Sequence, residues 1–354
     1  MHKNNFTPSL VACAVAGAVG ISSAAQAQQM VLEEVVVTAR KKEEAIQDAP
    51  LAVSAVGRDT IEASFLGDAT QIVQYSPNLI FDEIPSGTPG GGGISNRGIS
   101  LQDVEKTFDP TVLIHVDGVP LGTNSGNVMN LLDIERIEVL RGPQGTLFGK
   151  NAVGGVINIW RIKPLLGEWA GKARVRYDDE GAASFEGVVN VPLGNTLAAK
   201  INLAHIEKAA YYDNITTGDE DGDSDEDRWG VHLMWEPTDN LLLEAQYNDS
   251  EMDGTIAPQL NISSLTADLC TGFGACTEGA GKPLSGDRQK GAGNLKQAFT
   301  LDSTDYQFNG IWDVTDSLSA VFIAGHRELD EEGFYDFDGS PQTLFHVNRP
   351  NEYE

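Results

Sequence analysis

The sequence is poor in basic residues and in long apolar runs, and each shortage excludes a class of protein. Its 354 residues include 24 Lys and Arg against 52 Asp and Glu, which gives a formal net charge of -28. A chain this acidic lacks the positive charge that binds phosphate backbones, so nucleic acid is excluded as a partner. Outside the extreme N-terminus no apolar run reaches the roughly 18 residues that a membrane-spanning helix needs. If the chain spans a membrane, it must do so as a barrel of strands.

Catalytic and metal-binding motifs are also missing. No nucleophile has a base nearby in a recognisable motif, and no His and Cys residues cluster at ligand spacing. We therefore expect no enzyme, no catalytic residue, no metal site and no cofactor. What the chain has instead is glycine, with 38 residues against 7% aromatics, which suits a turn-rich β protein of two domains.

The N-terminus has the pattern of an export signal. Lys3 gives a thin positive region, Leu10 to Ile21 a small-residue apolar core, and Ala25-Gln26-Ala27 a cleavage site. The pattern predicts a signal peptide over residues 1–27; the alternative is a buried N-terminal helix. Cys13 loosely matches a lipoprotein box, but the apolar run continues past it, which disfavours lipidation.

A glycine-hinged hairpin is predicted from Ile134 to Ile159. Ile134 to Arg141 alternates apolar and charged residues as a half-covered strand does, Gly142 to Gly145 breaks it, and Val156 to Ile159 begins a second strand. A phosphate-binding loop is excluded, because Asn151 stands where such a loop needs a Ser or Thr hydroxyl.

The amino-acid sequence of this hairpin, RIEVLRGPQGTLFGKNAVGGVINI, closely resembles the plug domain of TonB-dependent outer-membrane receptors. Asn96 to Ile99 and Asp109 to Pro120 resemble further plug segments. The resemblance implies an α+β plug domain followed by an antiparallel transmembrane β-barrel. The domain prediction is residues 1–27 signal peptide, 28–46 TonB box and linker, 47–165 plug domain, and 166–354 the N-terminal part of the barrel.

The β-branched run near the predicted mature terminus resembles the TonB box. A short flat strand of this kind adds readily to the edge of a partner's sheet, although an ordinary edge strand is the alternative. The resemblance implies that TonB, the energy-transducing periplasmic protein, binds Glu34, Val35, Val36, Val37, Thr38 and Ala39.

Two further sets of plug residues are candidates. Pro85 to Gly93 is predicted to be a mobile loop, and the resemblance nominates Gly90, Gly91, Gly92 and Gly93 as a ligand-contact loop; a plain flexible connection is the alternative. Charged side chains of the plug are expected to pair with polar side chains of the barrel lumen, namely Arg97, Arg136, Glu138 and Arg141.

After Pro164 the chain alternates apolar and polar residues over about seven strand-length segments, as the wall of a membrane barrel does. The turn at Pro192 to Asn195 is short and the connection Ser250 to Ser303 is long. In such barrels the short turns face the periplasm and the long loops face the cell exterior, so the strand ends can be assigned to the two sides. A soluble β-sandwich is the alternative. Because family barrels have about 22 strands, we expect the sequence to be a fragment or truncated product.

Two loop features complete the predictions. Asp219, Asp221 and Asp223 mimic the first ligands of a calcium loop, but Ser224 stands where glycine is needed, so a solvated acidic loop is favoured. Cys270 and Cys276 are expected to form a small disulfide in an exported chain.

The resemblance implies a receptor in the outer membrane, in contact with outer-membrane lipid, that takes up a scarce small ligand. A ferric siderophore is the ligand that the family takes most often. The alternative function is an exported β-rich surface adhesion or calcium-binding protein, built on the acidic loops.

Overall fold

The computed structural model describes part of the chain, residues 36–38, 40–42, 44–64, 66–83, 90–101, 109–127, 131–179, 181–258, 290–291, 293–336 and 346–353. The predicted signal peptide and disulfide, and Glu34, Val35 and Ala39 of the predicted TonB box, lie outside these residues. Within the described residues, no helix is both long enough and apolar enough to cross a membrane.

Strands dominate the described residues. Numbered in chain order, they are β1 Val36–Val37, β2 Glu44–Ala45, β3 Val53–Gly57, β4 Leu79–Glu83, β5 Gly92–Asn96, β6 Ile99–Ser100, β7 Val112–Val116, β8 Val119–Pro120, β9 Ile134–Arg141, β10 Gly155–Arg161, β11 Ala170–Tyr177, β12 Ala183–Pro192, β13 Leu197–Lys208, β14 Tyr212–Asn214, β15 Glu220–Asp221, β16 Ser224–Thr238, β17 Leu241–Gly254, β18 Lys290–Gly291, β19 Ala298–Thr315, β20 Leu318–Asp336 and β21 His346–Tyr353.

A five-stranded mixed sheet forms the centre of the first domain, with strand order β3-β9-β10-β7-β8. The predicted hairpin is its middle: β9 and β10 are antiparallel, with Ile137 opposite Ile159, and the one-turn helix Gly145–Phe148 lies in their connection. β7 joins β10 in parallel, and the Asp117-Gly118 turn leads back to β8. The hairpin prediction is confirmed.

The two faces of this sheet bury different cores. Ile137 and Val139 of β9 belong to the main core, against the short helix Arg58–Ala63, the 3-10 helix Ala69–Tyr75 and strands β4 and β5. Leu140 belongs to a smaller cluster on the opposite face. Asp68 caps the start of the 3-10 helix, because its carboxylate accepts a hydrogen bond of 2.9 Å from the backbone N–H of Thr70.

The second domain is an eight-stranded antiparallel sheet in the order β11-β12-β13-β16-β17-β19-β20-β21. The predicted inward and outward faces are observed. Trp229, Tyr247 and Tyr306 stack on the outward face with ring centroids about 5 Å apart, whereas Lys200, Glu244 and other buried polar residues face the plug. Alternation in sequence therefore predicts this wall correctly.

The wall departs from its prediction in three details. About seven strands were predicted, and β21 adds an eighth to the sheet. β20 runs from Leu318 to Asp336, longer than the strand-length segments of the prediction. The acidic stretch Asp219 to Asp227 is only partly a solvated loop: Asp221 is 1% exposed in β15, which pairs with β14, and residues from Ser224 on belong to β16.

Candidate functional site

The N-terminal segment of the described chain lies on the smaller-core face of the plug sheet. β1 pairs antiparallel with β2, with Val36 opposite Ala45 and Val37 opposite Glu44. The side chain of Val37 is fully buried against Leu140 and Val156, whereas Val36 is exposed. The part of the predicted TonB box that the structure describes is therefore a strand docked on the plug.

Thr38 connects this segment to the central sheet through one carboxylate. The backbone N–H of Thr38 donates a hydrogen bond of 2.9 Å to Oε1 of Glu138, and its hydroxyl donates to Oε1 at 3.0 Å and Oε2 at 3.2 Å. Glu138 stands on β9 and is fully buried. A buried carboxylate that accepts several hydrogen bonds is a strong local anchor.

The same carboxylate has partners inside the sheet. Nε of Arg136 donates to Oε1 of Glu138 at 2.9 Å, and Nδ2 of Asn158, its register partner on β10, lies 3.4 Å from Oε2. The guanidinium of Arg136 also stacks on the ring of Trp160, 5.0 Å from its centroid. Within the described residues the charges of Arg136 and Glu138 neutralise each other inside the plug, and their contact with the barrel stays a prediction.

Arg97 and Arg141, the other expected barrel contacts, also have plug neighbours. Arg97 lies in the β5 to β6 turn with φ 54°, and its guanidinium lies beside Gly142. The backbone N–H of Arg141 donates to the carbonyl of Ala52 at 2.9 Å, while its buried Nε has no hydrogen-bond partner in the part of the chain that the structure describes. Their contact with the barrel stays a prediction.

The observed polar connection between plug and wall is centred on Arg161, at the end of β10. Its Nε donates to Asp117 at 2.7 Å, and its terminal nitrogens reach Oδ1 of Asn248 at 3.2 Å and Oε1 of Gln307 at 3.5 Å on the wall. Gln307 returns a hydrogen bond of 2.9 Å to the carbonyl of Asp117. The ion pair of Arg161 and Asp117 in the plug is thus hydrogen-bonded to wall strands β17 and β19.

Three further ion pairs join the plug side of the chain to the wall: Lys163 with Glu244 at 2.9 Å, Asp133 with Lys200 at 3.1 Å, and Glu62 with Lys172 at 2.8 Å. Burial raises the pKa of Asp133, and the ammonium of Lys200 opposes that rise. Hydrogen bonds from Lys172 and Arg58 lower the pKa of Glu62. We call these pairs, together with the Arg161 contacts, the plug–wall seam.

Sequence reasoning missed the residues of this seam, although a signal was present. Arg161 and Lys163 follow the second strand of the predicted hairpin directly, at the exit of the plug sheet. Glu244 belongs to the polar, inward set of its strand. Every second residue of a wall strand faces the plug. Pairing those polar residues with the charged residues at the end of the plug strands would have predicted these ion pairs.

The glycine run is only in part the loop that composition predicts. Gly92 and Gly93 begin the buried strand β5, and Asn127 clamps Gly92 by accepting from its N–H at 2.6 Å and donating to its carbonyl at 3.0 Å. A Cβ on Gly92 would lie 2.1 Å from the ring of Phe81, so packing requires glycine there. Gly90, with φ 54°, lines a cavity of about 220 Å³ between plug and wall, together with Gly126 and Arg327. A ligand role for Gly90, Gly91, Gly92 and Gly93 stays a prediction.

His115 is a buried residue of β7. It packs edge-on against Phe148, and among the described residues its Nδ1 has no hydrogen-bond partner. Burial, with repulsion from Lys41 as the smaller cause, lowers the pKa of His115 to about 4. The imidazole is therefore neutral at physiological pH.

Asp219, Asp221 and Asp223 do not converge as ligands in the described structure. Asp221 accepts from Nδ2 of Asn214 at 3.3 Å, and burial raises its pKa. In the described part of the chain, one group of side chains could hold a metal ion, the exposed His205, Asp225 and Asp227. Exposed acidic groups of this kind are common without an ion, and the prediction of no metal site stays a prediction.

Comparison with known proteins identifies the class of the chain. Residues 45–156 match the model of the TonB-dependent receptor plug domain. The iron-regulated outer membrane virulence protein of Vibrio cholerae is 32% identical over 218 residues, which cover 56% of this chain and 31% of that protein. The hemin receptor of Yersinia enterocolitica is 30% identical over 156 residues, 42% of this chain and 21% of that receptor.

Solved structures share the fold. The ferric yersiniabactin uptake receptor of Yersinia pestis superposes with a TM-score of 0.68 at 20% identity, over 85% of this chain and 44% of that one. The ferripyoverdine receptor of Pseudomonas aeruginosa gives 0.66 at 14% identity, over 85% of this chain and 37% of that one. Residues 45–156 of this chain therefore form a TonB-dependent receptor plug domain. The relatives include an outer membrane protein and a receptor. The chain spans 31% of the length of the first curated relative.

Proposed function

We propose that the chain functions in active uptake of a scarce ligand through a plugged barrel, with TonB as the partner that pulls on residues 34–39. The ligand class that we infer is a ferric chelate, a siderophore complex or haem. The names of the relatives support this class, since they include an iron-regulated protein, a hemin receptor and receptors for ferric yersiniabactin and ferripyoverdine.

The observation that carries the proposal is the contrast between the plug's interior and its attachment to the wall. The plug has its own apolar core, whereas the described contacts with the wall include hydrogen bonds and ion pairs such as Lys163 with Glu244. Partly solvated ion pairs are individually weak. A plug held in this way can move as a unit while its core stays folded.

Removing the predicted box tests the proposal. We expect deletion of residues 34–39 from the receptor to abolish energy-dependent accumulation of a ⁵⁵Fe-labelled chelate, because the partner has lost its strand. Binding of the chelate to the outer membrane at 4 °C should persist, because the deleted residues belong neither to the main core of the plug nor to the wall. The chelate is chosen from siderophores and haem that support growth of the organism under iron limitation.

The same experiment separates the rival function. An adhesion or calcium-binding surface protein would accumulate no chelate in either form, and its adhesion would not depend on residues 34–39. Energy-dependent accumulation that survives the deletion would contradict the proposed role of the box. A chain that neither binds nor accumulates any iron chelate would contradict the proposed ligand class.

A further inference from the structure

We propose that His205, Asp225 and Asp227 bind a divalent metal ion of the zinc class on the outward face of the wall, and that a phosphate group of outer-leaflet lipid completes its coordination. The three side chains come from the neighbouring strands β13 and β16, and their ligand atoms all lie within 4.8 Å of one another. We call these three residues the outward trio. Such a site joins the wall to its membrane, whichever ligand the receptor takes up.

The register of the sheet brings the outward trio together. His205 lies directly opposite Asp227, and Asp225 is the next residue of β16 on the same face, because alternate residues of a strand share a face. The side chains of His205, Asp225 and Asp227 are 50%, 49% and 72% exposed, so an ion can reach them from outside the wall. Strands β12 and β17 flank β13 and β16, which makes the trio part of a continuous surface.

The distances within the trio fit a tetrahedral metal ion. Nδ1 of His205 lies 2.9 Å from Oδ1 of Asp227 and 3.6 Å from Oδ1 of Asp225. Zinc bonds of about 2.0–2.2 Å to nitrogen and oxygen place tetrahedral ligands roughly 3.3 Å apart, and the two observed distances lie on either side of that value. Imidazole nitrogen and carboxylate oxygen both bind zinc, whereas Ca²⁺ and Mg²⁺ take oxygen ligands. Three protein ligands leave the fourth position of the ion open for a further donor.

The charges around the trio favour a bound cation. Asp225 has Glu207 opposite it on one side and Asp253 on the other, and Glu251 is the partner of Asp227 on β17. Like charges directly opposite each other destabilise a sheet. From this row to the exterior ends of the described strands β13, β16 and β17, the outward positions hold no Lys or Arg. A divalent ion supplies the positive charge that this surface lacks.

An independent feature, the row of aromatic rings on the outward face, indicates what lies beside the trio. The rings of Trp229, Tyr247 and Tyr306 stack there, and Nε1 of Trp229 and the hydroxyl of Tyr247 each donate to Asp249 at 3.1 Å. Trp and Tyr rings of this kind mark the boundary between acyl chains and headgroups. Asp227 is the next outward residue beyond Trp229, about 7 Å farther along the strand. The trio therefore lies in the headgroup layer.

The lengths of the turns assign the trio to the exterior side of the membrane. β13 begins at Leu197, just after the short turn at Pro192 to Asn195, and His205 lies near its other end. The connection from Thr238 to Leu241 between β16 and β17 is short as well, and Asp225 lies at the opposite end of β16. Short turns face the periplasm in such barrels, so the trio faces the outer leaflet. A headgroup phosphate there is an anionic oxygen donor for the open position.

Titration with cobalt tests the metal site in the receptor, purified in dodecyl maltoside and phosphate-free buffer. Co²⁺ replaces Zn²⁺ in tetrahedral sites, and its visible absorption is strong there and weak in an octahedral site. We expect the wild type to develop the strong absorption and to lose it when Zn²⁺ displaces the cobalt. His205→Gln removes the imidazole ligand and should weaken Zn²⁺ binding roughly tenfold or more.

The matched control is His326→Gln on the same face of the wall. His326 lies 3.0 Å from Glu328, but it is not one of the three converging ligands. Its variant should bind Zn²⁺ within about twofold of the wild type. Asp225→Asn removes a ligand but keeps the contact of 2.9 Å between His205 and Asp227, so it should weaken Zn²⁺ binding as His205→Gln does. No tetrahedral absorption in the wild type, or equal affinities in His205→Gln and His326→Gln, would overturn the metal site and leave an ordinary ion pair.

Added lipid tests the fourth ligand. Phosphorylated lipid A in the micelle should tighten Zn²⁺ binding by the wild type about tenfold, because its phosphate fills the open position, whereas dephosphorylated lipid A should leave the Kd unchanged. Tightening by both lipids, or by neither, would overturn the phosphate contact. Equal tightening by inorganic phosphate at the same concentration would assign the fourth position to a free anion and overturn the contact with lipid.

Discussion

The interior of the plug and the seam that joins it to the wall are stabilised in opposite ways. The main core buries aliphatic side chains completely, with Ile137 and Ile159 at 0% exposure. The seam uses charged and amide side chains, such as Arg161 with Asn248 and Gln307, at distances of 3.2 and 3.5 Å. Apolar packing in the core is lost all at once when the fold opens, whereas each polar contact can exchange with water.

The contacts of the core and those of the seam differ in strength. Burial of a large aliphatic side chain contributes about 1.5–3 kcal/mol, and an exposed ion pair contributes about 0–1 kcal/mol. The half-exposed Lys163 of the seam therefore resists separation less than an aliphatic side chain of the core does, whereas Lys200 and Asp133 are largely buried. We expect contacts of the Lys163 kind to open before the core of the plug unfolds.

A cavity in the core of the plug should have the largest effect on its stability. Ile137→Ala removes a fully buried side chain from β9, and we expect it to lower the free energy of unfolding of the plug by about 3 kcal/mol. Hydrogen exchange of the plug strands in increasing urea measures that free energy. Ile80→Ala is the control, since Ile80 is 51% exposed and its truncation should change stability by less than about 0.5 kcal/mol. A similar loss in both variants would contradict a well-packed core.

Acid should affect the plug sheet through His115. Its pKa of about 4 in the folded plug lies below the ordinary value of 6.5, so the unfolded chain binds the proton first as pH falls. The ring is neutral in both states above pH 6.5, and stability falls progressively as pH drops toward 4. At pH 5 we expect a loss of roughly 2 kcal/mol relative to pH 7.

Comparison with His115→Gln isolates this effect, because the other titrating groups are common to both proteins. The wild type should lose roughly 2 kcal/mol more than the variant between pH 7 and pH 5 in urea unfolding of the plug. Equal losses in the two proteins would show that the ring finds a partner for its proton in the folded state. The pH dependence would then belong to the carboxylates.

Local patterns made the sheet and the wall predictable from the sequence. The β9 and β10 hairpin follows from alternation, a Pro and Gly break and a second apolar run, all within residues 134–159. The wall follows from alternation alone, since side chains on a strand point to opposite faces. The ends of the wall strands were less predictable. Charged residues such as Glu328 and Asp330 interrupt the apolar pattern within β20, although the strand continues to Asp336.

Contacts between distant residues could not be predicted. Nothing local pairs Thr38 with Glu138, and the charge of Glu138 indicated a partner in the barrel lumen rather than Thr38. Composition suggested a loop at Gly92, but its glycine is required by the ring of Phe81 from another strand. In each case tertiary packing gives the residue a role that its neighbours in sequence do not reveal.

The seam should show the smallest effect, and Lys163 provides the sharpest measurement. Its ammonium lies 2.9 Å from Glu244, but it is 46% exposed, and Glu244 also has His232 within 3.1 Å. Lys163→Met should therefore weaken attachment of the plug by only about 0.5 kcal/mol. The readout is the urea concentration at which residues 161–165 lose amide protection while β9 keeps it.

A double-mutant cycle that combines Lys163→Met with Glu244→Gln measures how much of this loss comes from the ion pair between Lys163 and Glu244. We expect a coupling energy of about 0.5 kcal/mol, reduced further at high salt because the pair is partly solvated. A coupling of several kcal/mol would mean that the seam is as strong as the core. The plug could then not separate from the wall without unfolding, because a force on its N-terminal strand would reach the apolar core first.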